Sequence, residues 1–448
     1  MDPMLKQRDG ATWRSNLNAR RSSPFRPPEK QLPSHGAKRE KLHWSVALFL
    51  IALVVPWVFY FGTLRMSVYR IVLLVMVFPC LRMWIAGKAG RVRIADIVLM
   101  LYVFWAALSI ALINGLDVSF KTAGIVFIET MGPYLLARCY VRKPDDVYNV
   151  TKILFCIVAV LLPFAIVECY TGNNISRELF AMILPTRTEA MPARWGLTRV
   201  QSVFDHPILF GVFTGGILAL VNLVLCYQKN IFERLFMTGI VGATSLLSVS
   251  SGPLTALAAQ GGLLCWNGVF GTIKSRWKIL IALLATISIA IELAAKRSVL
   301  DIVISYFLFD PGSYWYRRLI WMYATASVSN HPYFGVGLNE WNRPEWMGAS
   351  IDNFWLFHAV RYGLPAAVLM PLAFFSIFLP LSAKKGLDAE LAEYRTAFLI
   401  VLTGFFVVAW TVHFWDATYV LFTFVLGSGV WLLDVQSKDT APSKAQHV

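Results

Sequence analysis

Two stretches of this chain carry arginines where a membrane protein has least reason to keep them. Arg177, Arg187, Arg194 and Arg199 fall within residues 171–206, and Arg297, Arg317, Arg318 and Arg343 within 295–352. Chemistry is one reason for keeping such a set; contact with lipid headgroups is the plainer alternative for any single arginine. The second stretch also contains NHPYFGVGLNEW, Asn330–Trp341, with two glycines, a proline and three aromatics. Polar punctuation of this kind raises the question of what holds those arginines in place.

The elements that must position them are hydrophobic helices. Charged residues make up 15% of the 448, against ~25% in a soluble domain, and apolar residues 57%. A spanning helix needs about 20 mainly apolar residues. Such segments occur near 44–62, 66–85, 94–113, 121–138, 151–170, 207–226, 234–250, 253–271, 279–294, 353–381, 396–414 and 416–433. The expected fold is therefore an all-α polytopic membrane protein of about 12 transmembrane helices, with two long external loops, 171–206 and 295–352, containing interfacial helices. The membrane domain runs over 44–434. Residues 1–43, with ten lysines and arginines, read as a disordered basic tail, and 435–448 as a second cytoplasmic tail. The first segment is too long for a signal-peptide core and no small-residue cleavage site follows it, so it reads as a retained helix.

Charge sets the orientation. The net charge of +15 is compatible with nucleic acid in principle, but most lysines and arginines sit in short segments between hydrophobic runs. Basic segments gather on the cytoplasmic side, which places both termini in the cytoplasm and the two arginine-bearing loops outside. The six cysteines lie in or beside apolar segments with no CxxC pair. They read as small buried residues rather than a disulfide framework or a zinc site.

The second loop is organised. Ser298 and Asp301 stand at capping-box spacing ahead of an apolar stretch, 298–309, too short to span. Over 313–330 the spacing predicts an amphipathic interfacial helix with Trp315, Leu319, Met322, Tyr323 and Ala326 on one face and Arg317 roughly opposite. Asn330 suits its end, Pro332 prevents continuation, and Gly335 and Gly337 permit tight turns.

The run RRLIWMYATASVSNHPYFGVGLNEW resembles the O-antigen ligase and O-antigen polymerase family. Arg317, Trp321, His331, Pro332, Phe334, Gly335 and Gly337 match its pattern of a helix-leading Arg, a Trp four residues on, and HP-x-FG-x-G. TRVQSVFDHPILFG (198–211) is similar to the family's Arg-led stretch before a Pro-started helix, with Arg199 as the arginine. DNFWLFHAVRYGLPA (352–366) follows the ligase-type pattern, with Asn353 and Gly363 in register but Asp352 where the ligases carry His. The short turn after the seventh helix, often bearing an arginine in the family, reads SSGP (250–253). Both departures favour a polymerase, or a related exopolysaccharide polymerase, over a ligase.

The resemblance implies a metal-independent glycosyltransferase of the bacterial inner membrane. It would move a glycan from an undecaprenyl-pyrophosphate carrier to a sugar hydroxyl of a lipid-linked repeat unit at the periplasmic face. No cofactor is implied; the partners are the lipid-linked glycan, membrane lipids, a chain-length regulator and other polysaccharide-assembly proteins. Arg199, Arg317, Arg194, Arg318 and Asn353 are then the candidate substrate-binding residues, since guanidinium forks stay charged and bind phosphate oxygens in pairs. Asp352 is the first candidate base and His331 the second. The competing role for Asp352 is that of a helix N-cap. Glu129, mid-span in the fourth segment, is either functional or an interhelical hydrogen-bonding residue. His358 reads as a packed core residue, and Arg361 as snorkelling to the outer end of its helix. Two alternatives remain: an O-antigen ligase acting on lipid A-core, and a lipid-linked oligosaccharide flippase or other transporter. The absence of a convincing internal repeat and the concentration of charge in loops weigh against a transporter.

Overall fold

The structure, a computed structural model, describes residues 39–62, 64–186, 191–294 and 311–435. The chain divides into Met1–Glu40 and Lys41–Val448, and the fold described is that of the second unit. The basic tail expected over 1–43 and the tail expected over 435–448 fall almost wholly outside the described residues. So do Arg187, Arg297 and the short helix expected over 298–309.

Among the described residues helix dominates, with one two-stranded sheet. After α1 (Trp44–Ala52) and the strands β1 (Val58–Phe61) and β2 (Leu64–Ser67) come α2 (Val68–Ile85), α3 (Ile94–Asn114), α4 (Leu116–Tyr140) and α5 (Pro144–Thr171). The short α6 (Ile175–Ala181) leads to α7 (Pro207–Gly215), α8 (Leu218–Leu220) and a π-helical turn, Val221–Leu225. Then follow α9 (Ile231–Leu246), α10 (Ser251–Val269), α11 (Arg276–Ala294) and α12 (Pro311–Asn330). The last four are α13 (Phe354–Tyr362), α14 (Leu364–Ala383), α15 (Ala389–Val408) and α16 (Asp416–Ser428).

Among the described residues, eight helical segments are long and apolar enough to cross a membrane: 68–85, 94–114, 144–171, 207–225, 276–294, 364–383, 389–408 and 416–433. The chain is thus an all-α, multi-pass membrane protein, and eight of the twelve expected segments meet the criterion. The other four differ for identifiable reasons. The first, 44–62, stops at Ala52: Pro56 blocks helix, and the aromatic run Val58–Phe61 folds back through Gly62 (φ 62°) to pair with Leu64–Ser67. α4 is long enough but carries Lys121, Glu129 and Arg138. α9 has only 16 residues. α10 is unbroken, but its apolar run contains Gln260, which donates across to the Gly215 carbonyl at 2.9 Å, and Asn267.

The core lies around α4, α7 and α16. Every residue of α16 from Ala417 to Ser428 is buried, and it packs chiefly on α4. Gly427 is needed there, because a Cβ would stand 2.6 Å from the Tyr134 carbonyl. A buried ion cluster ties these helices. Arg70 donates to Glu129 (2.8 Å) and Asp416 (3.1 Å), and the Tyr69 hydroxyl donates to Glu129 at 2.9 Å. Glu129 therefore occupies the interhelical role. α11, by contrast, buries none of its residues.

The expected span 353–381 is two helices, broken at Gly363, and NHPYFGVGLNEW explains the break. Gly363 sits at φ 82° and ψ 178°, a region essentially closed to residues with a Cβ. The freed backbone groups are taken by the loop: Val336 N donates to Val360 O (2.8 Å) and Gly337 N to Arg361 O (2.9 Å), while Leu364 N donates to the loop carbonyl of Pro332 (2.8 Å). Phe334 stacks on Trp105 of α3, with ring centroids 5.3 Å apart. Non-helical backbone at such a break is tolerable only when its polar groups are satisfied within the protein. Arg361 does not snorkel: its guanidinium donates to the carbonyls of Gly337 (3.1 Å) and Asn339 (2.8 Å).

The amphipathic helix forms, as α12, but it turns a different face inward. Leu319, Ile320, Ala324 and Ser327 are buried, while Trp315, Trp321 and Met322 are exposed. Arg317 lies on the inward side with Ile320, Ala324 and Ser327, not opposite it. In a membrane protein the most apolar stripe can face lipid, so hydrophobicity alone picks the wrong face. Of the cysteines, four are buried as expected, but Cys156 and Cys265 are exposed.

Candidate functional site

Arg199 is fixed through its neighbours. Thr198 N donates to Cys169 O at the end of α5 (3.0 Å), and Val200 N to Leu247 O at the end of α9 (3.2 Å). The next two amides, of Gln201 and Ser202, donate to the Glu168 carboxylate at 2.9 and 3.0 Å. Arg177 and Asn174 both donate to Ser202 O, and Arg177 pairs with Asp205 at 3.0 Å. Arg177 thus holds the loop in shape. Arg199 is 7% exposed, and its Nη2 donates to Ser250 Oγ at 2.9 Å. The serine in the SSGP turn is therefore a direct partner of the arginine.

Ser250 occupies the N-cap of α10, whose first turn packs on the segment joining α15 to α16. A Cβ on Gly252 would stand 2.5 Å from Val412 Cγ2 and 3.6 Å from Thr411 Oγ1. From the other side, Arg317 Nε donates to Thr411 O at 3.1 Å. The amide of Phe354 donates to Ala409 O (2.8 Å) and Val412 O (3.1 Å), which brings Asp352 and Asn353 to the same place. Residues 409–415 are the hub on which the two arginine-bearing loops and the start of α13 converge.

Electrostatics describe one cluster. Burial, then the neighbouring Arg194 guanidinium, pull Arg199 down to about 10. Burial lowers Arg317 too; Asp352 opposes this and Arg194 adds to it. Both arginines stay charged near neutral pH. Among the described residues, Arg199 Nε and Arg317 Nη1 are buried without a hydrogen-bond partner. Buried donors left unpaired are costly, more so when charged. Arg194 stands close to both Arg199 and Arg317, with Asp352 close to Arg317, so positive charge exceeds negative and the cluster can accept an anion.

Asp352 is not the cap of α13. Asn353 is: its side-chain oxygen accepts from Leu356 N at 3.0 Å, and the residue is 5% exposed. That local role places Asn353 in the protein interior rather than toward a ligand. Asp352 lies one residue earlier, half-buried, and among the described residues accepts from the Ser350 hydroxyl alone, at 2.7 Å. Its oxygens are otherwise available to the arginine cluster. Arg318 is exposed on the outer side of α12, away from Arg317. His331 is also exposed, beyond the far end of α12, where it lines a separate cavity. His358 is packed in the core, 2.9 Å from the Tyr102 hydroxyl.

His206 joins the cluster without having stood out in the sequence. It caps α7, its Nδ1 accepting from Ile208 N at 3.1 Å, and its ring lies 5.9 Å from Trp415 of the hub. Burial foremost, then Arg199, with Arg194 adding and Asp352 opposing, pull it down to about 4. It is neutral near pH 7. Because Nδ1 accepts, Nε2 carries the proton and is a donor. The only signal in the sequence was its place before Pro207 in the Arg199 motif.

No protein-family model matches this chain, and no curated protein matches it.

Proposed function

We propose that this protein is a polysaccharide polymerase of the bacterial inner membrane, transferring a polyprenyl-diphosphate-linked glycan to a sugar hydroxyl at the periplasmic face. The observation that carries this reading is the pair of buried, unpartnered guanidinium donors on Arg199 and Arg317, with Arg194 close to both and Asp352 close to Arg317. A diphosphate supplies the acceptor oxygens these donors lack, in the bidentate geometry that arginine favours.

The chemistry follows from the charges. The acceptor oxygen forms a bond to the anomeric carbon of the donor glycan. The bond from that carbon to the phosphate oxygen breaks, and its electron pair leaves with the diphosphate. The arginines stabilise the charge that grows on the leaving group, an effect that is strongest where water is excluded. Asp352 takes the hydroxyl proton, and His206 Nε2 donates to a diphosphate or acceptor oxygen.

The test is lengthening of lipid-linked repeat units by purified protein in detergent, with no gradient present. A transporter leaves chain length unchanged under those conditions. The accumulated lipid-linked product of a deletion strain separates polymerase from ligase: single repeats for the first, full-length unattached polymer for the second. Arg199→Lys keeps the charge but loses the fork. The expected outcome is a marked loss of product with normal membrane insertion; full activity would reduce Arg199 to a structural partner of Ser250.

A further inference from the structure

The cavity that His331 lines lies outside the arginine cluster. It measures about 380 Å³, within the ~300–1,000 Å³ range of small-molecule pockets. Its walls are Ser327 and Asn330 from the end of α12, His331 itself, and Glu340, Asn342 and Arg343 from the loop beyond. The walls are rigidly supported. Asn342 N donates to Ser327 Oγ at 2.8 Å, and Trp341, 2% exposed, anchors the loop by donating to Ala349 O at 2.9 Å.

The lining speaks for a particular chemistry. The side chains of Asn330, His331 and Asn342 line the cavity from exposed positions, and among the described residues Arg343 Nε is buried without a partner. Arg343 is already neutralised by Glu340 at 2.7 Å, so the cavity is not an anion site like the arginine cluster. It offers paired donors and acceptors: two carboxamides, an imidazole and a carboxylate–guanidinium pair. Adjacent hydroxyl groups, each a donor and an acceptor, are the natural complement of such a set.

We infer that this cavity binds a neutral sugar unit of the glycan chain, away from the reacting end. The identity of that glycan as the enzyme's substrate rests on the proposed function; the sugar site itself does not require turnover. Ser327 lies ten positions along α12 from Arg317, or about 15 Å at 1.5 Å per residue. One rigid helix thus separates the diphosphate site from the sugar site by the reach of a short oligosaccharide. Contacts made far from the reacting bond hold the substrate and orient its reacting end.

The probe is the oligosaccharide released by mild acid from the lipid-linked pool of producing cells. Binding to the full chain in detergent is read by saturation-transfer NMR and calorimetry, with thermal melting as the folding control. The wild type is expected to bind. Glu340→Gln and Asn342→Ala are each expected to weaken binding about tenfold or more at unchanged melting, while Arg199→Lys binds as the wild type. Loss of binding with Arg199→Lys but not with the two cavity variants overturns the site, as does failure of the wild type to bind. Elongation by wild type and both cavity variants to equal chain length, without sugar binding, removes the sugar site and leaves the proposed function standing. Sugar binding that the cavity variants abolish, with full elongation by Arg199→Lys, keeps the sugar site and removes the arginine mechanism.

Discussion

Adjacent residues Asp352 and Asn353 should separate chemistry from folding. Asn353 is buried and caps α13 through a 3.0 Å bond to Leu356 N. Removing such a cap by Ala costs ~0.5–2 kcal/mol. Asp352 makes a single bond, to the exposed Ser350 hydroxyl, of a kind worth roughly 0.5–1.5 kcal/mol at most and less when solvated. Asp352→Ala should therefore melt close to the wild type, while Asn353→Ala melts clearly lower. Activity should order the other way. Loss of a general base lowers rate by about 10²–10⁴, so Asp352→Ala and Asp352→Asn should both lose most polymer. Asn353→Ala should keep most of its turnover at temperatures where it stays folded. Polymer length is read on gels from detergent-purified protein, with melting followed on the same samples. Wild-type polymer from Asp352→Asn would refute the base assignment. A large loss of melting temperature in Asp352→Ala would refute the division of labour itself.

Gly363→Ala forces a Cβ into a glycine-only backbone region and onto the Tyr333 carbonyl. Backbone strain of that kind costs ~1–3 kcal/mol before any clash, and thermal melting should show at least that loss. His206→Asn keeps a good cap for α7 but removes the Nε2 donor; elongation should fall while melting at neutral pH holds. The same variant has a pH signature. The histidine is depressed in the folded state to about 4, so its contribution to stability is full above the unfolded value of ~6.5 and is lost as pH falls toward 4. Melting from pH 7 down to pH 4 should fall less steeply in His206→Asn than in the wild type; parallel curves would place His206 outside the cationic cluster.

Some of this was legible in the sequence for a physical reason. Runs such as Ile94–Asn114 and Pro144–Thr171 are long and apolar because a bilayer demands it, and no tertiary context overrides that demand. The arginines at 199 and 317 stood out for a different reason: basic residues are expected on the cytoplasmic side, so those that depart from the bias carry information. Pro332, Gly335 and Gly337 were readable as a helix stop and turns. What they turn around, the broken carbonyl ladder at Gly363, was not, because Tyr333 and Gly363 meet only in three dimensions.

The unreadable features share one cause. Hydrophobicity distinguishes core from water but not core from lipid. That is why α12 buries Leu319, Ile320, Ala324 and Ser327 instead of its Trp and Met stripe, and why α11 can be apolar over most of its length yet bury nothing. The hub at 409–415 was hidden in the same way, since AWTVHFW reads as the join of two spans. Its role comes from backbone carbonyls, Ala409 O, Thr411 O and Val412 O, which accept from Phe354 and Arg317. Carbonyls are identical at every position of a sequence, so no residue type announces them. The readable trace of such a hub is indirect: an arginine and a polar helix start, far apart in the chain, that both need a partner their own segments do not supply.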